Sequence, residues 1–237
     1  MSSLYSRILA GALALLPIVA TAADPMTDAI QTAYAPYRVA LFKTNGKSLP
    51  ESRDAVLLAR ARWAEVTLRF ASQPPVPYAT DGKLTTDFVR IDAIYVQAAT
   101  EIEQGQLAKA HETLEEVREI LARMRWRNGV VVFSDHMNAY HSEMERVLDE
   151  GDKLLAQPAG RFQLIARAGV LGYLAKRLAS EATPELAANA EFVELVGAVR
   201  KSVADVEAAL ISGDTALAKQ ALGGLKKPYS RLFIKFG

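Results

Sequence analysis

HETLEEVREILARMRWRNGVVVFSDHMNAYHSEME, residues 111–145, is the stretch on which the reading of this chain turns. It contains all three histidines of the sequence and three of its five methionines. Leu114, Val117, Leu121 and Met124 recur at intervals of three and four, the period of one helical face. Asn128-Gly129 then breaks the pattern. Beyond it, Ser134-Asp135 reads as a helix cap, and Met137, Tyr140, Met144, Val147 and Leu148 form a second apolar stripe. Two antiparallel helices joined by a short turn follow. The intervening run Val130 to Phe133 suits a strand or a buried turn of helix equally.

Outward from this hairpin the same period recurs. Proline and glycine divide the chain into segments of helical length, which predicts an all-α fold of seven to eight helices. Before the hairpin, an extended opening leads into a short helix over Tyr37–Thr44. The next helix runs to about Ser72 with Val56, Ala59, Trp63, Val66 and Phe70 on one face, and another, closing at Gly105, carries Phe88, Ile91, Tyr95, Ala98 and Ile102. The stretch Gln73-Pro74-Pro75-Val76-Pro77 between them is a stiff loop, because each proline lacks an amide donor and restricts the residue before it. Beyond the hairpin, helices are expected over Phe162–Ser180, Glu185–Ser212 and Thr215–Gly224, with a short last segment opened by Pro228.

A weak internal repeat links the two halves. Asp87-Phe88-Val89 is echoed by Glu191-Phe192-Val193, and Gly105 with Leu107-Ala108-Lys109 by Gly213 with Leu217-Ala218-Lys219. Pro36-Tyr37 with Leu41-Phe42-Lys43 is likewise echoed around Pro228-Tyr229. The repeat favours two four-helix-bundle-like units, residues 23–129 and 130–237, packed as one compact domain. Aligning Lys109 with Lys219 sets His111 opposite Ala221 and Glu115 opposite Leu225, so the scaffold itself does not call for His or Glu there.

At the amino terminus, Arg7, an apolar run from Ile8 to Val19 and Ala20-Thr21-Ala22 have the layout of a cleavable secretory signal over residues 1–22, too short to span a bilayer. The chain has no cysteine, so it forms no disulfide and offers no thiolate ligand. A periplasmic location is expected. Removing Arg7 with the leader from the 28 basic residues leaves 27, against 27 acidic ones. That balance gives no reason to expect nucleic acid as a partner, or a membrane once the leader is cleaved.

The chemistry concentrates on the hairpin. His111 and Glu115 are four apart, as are His141 and Glu145, so each pair shares a helical face within reach of one ion. If Val130 to Phe133 continues the second helix, His141 falls level with Glu115 and Glu145 level with His111. Four nitrogen and oxygen ligands then converge, a set that suits iron, zinc or copper(II). If the run is extended, His141 slides toward Arg118 and the four-ligand set fails. Met137, His141 and Met144 share a face whose thioethers and imidazole suit copper(I). His136 is placed to cap the helix start or to act as an outer ligand.

Plainer readings exist for the same residues. The methionines fill a bundle core, and the histidines pair with the carboxylates on their own helices. The series Arg118, Arg123, Arg125 and Arg127 reads as a solvated helix end facing the negative pole of its dipole, or as an anion patch. No nucleophile–base pair and no phosphate loop stands out, and the reading is of a non-enzymatic protein that stores or delivers a transition metal. Covalent haem is excluded without cysteine, whereas non-covalent haem on a His and a Met fits a helical bundle. The segments Gly105–Val117 and Gly213–Leu225 resemble half of a tetratricopeptide-type unit, which implies an alternative role as a scaffold for a periplasmic protein partner.

Overall fold

A computed structural model describes residues 24–237, so the expected leader lies outside the described residues. Among these residues there is no strand and no helix long and apolar enough to cross a membrane. The chain folds as α1 (Pro25–Thr44), α2 (Leu49–Phe70), a 3-10 turn at Tyr78–Thr80, α3 (Leu84–Glu103), α4 (Leu107–Arg127) and α5 (Phe133–Leu155). It continues through α6 (Gly160–Ser180), α7 (Pro184–Ala187), α8 (Ala190–Ser212), α9 (Thr215–Gly223) and α10 (Lys226–Phe236).

The first helix departs most from the sequence reading. Instead of an extended opening and a short helix, α1 is one helix of 20 residues. Asp24 starts it: its carboxylate accepts from the amides of Met26 and Thr27, and Pro25 occupies the first turn, where no amide donor is needed. Pro36 lies inside and forfeits one helical hydrogen bond, a cost of about 3 kcal/mol. Burial of Met26, Ile30, Tyr34 and Tyr37 on one stripe outweighs it, at about 1.5–3 kcal/mol for each large side chain. The segment expected as a single helix from Glu185 divides into α7 and α8, because the Asn189 side chain caps a new start by accepting from the amide of Phe192.

Packing follows two rings. In the first, α1 packs on α2, α2 on α3, α3 on α4, and α4 returns to α1. In the second, α5 packs on α6 and α6 on α8, while α9 and α10 together fill the fourth position against α8 and α5. Gly105 and Gly213 both adopt left-handed backbone, with φ of 75° and 79°, and close α3 and α8 at matching points of the two rings. The Pro36 and Pro228 echo does not follow that tandem order, since it pairs the first helix of one ring with the last of the other.

Those two helices meet. α1 packs on α10, with the Tyr34 and Phe233 rings 6.5 Å apart and edge to face. Tyr37 is buried and donates to the Leu114 carbonyl on α4 at 2.9 Å. Tyr229 points from α10 toward the Met137 carbonyl on α5 at 3.5 Å. Through these side chains α1 and α10 form the floor between α4 and α5.

Candidate functional site

The connector settles the geometry of the hairpin. Gly129 takes a φ of 68°, Val130 to Val132 are not helical, and α5 begins only at Phe133. Val132 is fully extended, and the Asp135 carboxylate accepts from its amide at 3.1 Å. Asp135, and not His136, therefore caps the helix start. The same carboxylate takes two nitrogens of Arg125, at 3.0 Å and 2.5 Å, and Arg125 is 1% exposed. This ion pair clamps the end of α4 to the start of α5. Arg127 is clamped as well, to Asp81 at 2.9 Å and Asp87 at 2.5 Å. Burial pushes the Asp81 carboxyl up, but hydrogen bonds from Arg127, Asn128 and the Lys83 amide outweigh it and leave the group below its usual range.

Farther from the turn the two helices do not pack along each other. α4 lies on α3 and α1, and α5 lies on α6, α9 and α10. The expected packed hairpin is thus splayed, and the four expected ligands do not meet around one point as they stand, because an extended run advances the chain without turning the second helix into register. Among the described residues no three His, Cys, Asp or Glu side chains are gathered closely enough to hold a metal ion as they stand.

Part of the expected set does meet. His111, Glu115 and His141 line one cavity of about 60 Å³, together with Arg118, Lys226 and Tyr229. His111 is fixed from behind. Its Nδ1 lies 3.0 Å from the Leu41 carbonyl and 3.3 Å from the Thr44 hydroxyl, at the end of α1. A carbonyl only accepts, so Nδ1 carries a proton; in the neutral ring Nε2 then holds the lone pair, 3.6 Å from Glu115 Oε1. Burial lowers the His111 pKa against the opposing pull of Glu115, with Lys226 and Arg118 adding to the drop.

His141 is buried, its ring centroid 5.1 Å from that of Tyr229, and its Nε2 lies 3.4 Å from Glu145 Oε1. The His141 ring, with further help from Lys226 at 3.2 Å, pushes the Glu145 carboxyl down to about 2 despite partial burial. Each histidine therefore sits beside its own carboxylate, and each carboxylate is also held by a cation, Glu115 by Arg118 at 2.9 Å and Glu145 by Lys226.

The remaining candidates lie elsewhere. Met137 and Met144 are fully buried in the apolar core, as is Met124, and none of the three lines the cavity. His136 is on another edge of α5, 3.9 Å from Glu181, with its pKa lowered by burial first and by Arg177 second. Lys226 and Tyr229 belong to the site without a chemical motif in the sequence to mark them. Their one signal was the Pro228-Tyr229 echo, which read as repeat and not as chemistry.

Comparison of the chain with protein-family models, with characterised proteins and with solved structures finds no match.

Proposed function

We propose that this chain is an exported, non-catalytic protein that captures a transition-metal ion in the cavity where its two helical rings meet. His111 and His141 are the nitrogen ligands, with Glu115 and Glu145 as the carboxylates that close on the ion. The observation that carries the reading is the His111 ring. Its Nδ1–H is spent on the Leu41 carbonyl, so Nε2 is the ring nitrogen left for a ligand in the cavity that His141 also lines. A ring nitrogen held by a backbone carbonyl is the usual support of a metal-bound imidazole.

The spacing within each pair supports it too. Tetrahedral ligands about 2.0–2.1 Å from an ion lie about 3.3–3.4 Å from each other. The two Nε2 to Oε1 separations are 3.6 and 3.4 Å. With Met137 and Met144 in the core, the set is nitrogen and oxygen, which favours zinc, copper(II) or iron over copper(I). The cavity, about 60 Å³, is much smaller than a porphyrin, which favours an ion over haem as its occupant. Uptake requires Arg118 and Lys226 to release the carboxylates, which makes the bound ion exchangeable and suits delivery.

The test is retention after desalting. The chain from residue 23 onward is incubated in turn with zinc, copper(II), iron(II) and copper(I), and bound metal is measured. About one equivalent of zinc or copper(II) is expected, and His111→Ala combined with His141→Ala should abolish it. No near-stoichiometric retention of any ion, or equal retention by the double variant, sinks the reading.

A further inference from the structure

A second cleft lies along the same pair of helices and is not explained by metal capture. It occupies about 360 Å³ between α4 and α5, within the size range of pockets for small organic ligands. Trp126, Val130 and Val131 form its apolar side, with Trp126 82% and Val131 70% exposed. Asn138 and Ser142 line the α5 side, and Arg118 stands where this cleft and the histidine cavity adjoin.

Arg118 is the arginine that lines this cleft, and it differs from Arg125 and Arg127 farther along α4 in what fills its fork. Arg125 is taken by Asp135, and Arg127 by Asp81 and Asp87. Arg118, whose side chain is 12% exposed, has among the described residues one ion-pair contact, to Glu115. A guanidinium offers five N–H donors in a planar fork, so most of those of Arg118 are unspent. Asn138 also lines the cleft; its side-chain nitrogen is buried without a partner among the described residues, while its oxygen accepts from Tyr34. The acidic groups at the cleft are accounted for, Asp135 by Arg125 and the Val132 amide, and Glu119 by Arg123.

We propose that this cleft binds a small organic carboxylate, its carboxylate in the Arg118 fork and its apolar body against Trp126, Val130 and Val131. A plain anion would leave the apolar wall bare, and a neutral apolar molecule would leave the guanidinium unpaired. Only a ligand with both parts answers both sides.

The molecule contains its own reporter. Of the two tryptophans, Trp63 is buried in the first ring and Trp126 lines the cleft, so a ligand there changes the emission of Trp126 alone. The experiment titrates the chain from residue 23 onward, kept in EDTA so that metal capture plays no part, with 4-phenylbutyrate, 4-phenyl-1-butanol, acetate and phosphate. A saturable emission change with 4-phenylbutyrate is expected, at least about tenfold tighter than with the alcohol and absent with acetate. Arg118→Lys keeps the charge beside Glu115 but loses the fork. It should melt like the wild type by circular dichroism and bind at least about tenfold more weakly.

Four results overturn the proposal: no saturable change, equal binding of the alcohol, equal binding of acetate or phosphate, or unchanged binding by a folded Arg118→Lys. Equal binding of the alcohol would assign the apolar wall to a contact surface instead. The Trp126→Phe variant, read by calorimetry, should still bind and so separate ligand occupancy from the optical signal.

Discussion

The two ends of α4 use the same residue types for opposite purposes. At its C-terminal end Arg125 and Arg127 are each gripped through two nitrogens, by carboxylates from α5, the loop before α3 and α3 itself, with Arg125 Nη1 buried without a partner among the described residues. Nine residues earlier than Arg127, Arg118 is nearly as enclosed yet has a single carboxylate contact among the described residues, and His111 and Glu115 on the same helix line a cavity. Charge burial at the first end fixes the turn between the two rings. At the second it leaves donors and lone pairs unspent, which is the physical mark of a place built to receive something.

That contrast is open to direct attack. Asp135→Ala should cost the most, about 3–5 kcal/mol in a urea titration, because it strands the Arg125 guanidinium in the core. A loss under about 1 kcal/mol would mean that the clamp does not hold the turn. Glu145→Gln should come next, with a pH signature. A carboxyl pushed down to about 2 adds stability that is complete above its ordinary value of 4.5 and vanishes as pH falls through about 2. The wild type should therefore exceed the variant by about 1–2 kcal/mol at neutral pH, the partly exposed side chain screening the rest. The two stability curves should merge in strong acid.

Arg118→Met sharpens the comparison. Removing a guanidinium with one ion pair, and keeping an apolar stem, should change stability by less than about 1 kcal/mol in the same titration. A cost equal to that of Asp135→Ala would erase the distinction between the two ends. The smallest effect is expected from Lys226→Gln. Freeing Glu145 from a half-exposed lysine should raise zinc affinity by roughly twofold to fivefold in competition with a chromophoric chelator. Unchanged or weaker binding would show that Lys226 does not compete for the carboxylate.

The helices were legible because the stripes on α2, α3 and α4 repeat at helical spacing and are buried as the spacing requires. Gly105 and Asn128-Gly129 mark their stops just as plainly. The length of α1 was hidden by Pro36, since local propensity argues against a helix that tertiary burial then enforces. The site was legible only in part. His111, Glu115 and His141 could be paired from their spacing, but their common cavity depends on α1 and α10, far away in sequence. The role of Leu41 is a main-chain one and leaves no trace in residue identity. Val130 to Val132 carry too few residues for a period to decide between strand and helix, and the register of the whole second ring depends on them.

The connector has a further consequence. Val131 stands in solvent between the amide of Val130, which bonds back to Arg125, and that of Val132, which bonds forward to Asp135. A protease that severs the chain there cuts between two hydrogen-bonded anchors, while the Arg125–Asp135 ion pair and the aromatic contact of α1 with α10 still bridge the gap. The nicked protein should run as two fragments on a denaturing gel and as one particle on a sizing column. The two halves would then behave as a heterodimer made from one gene product.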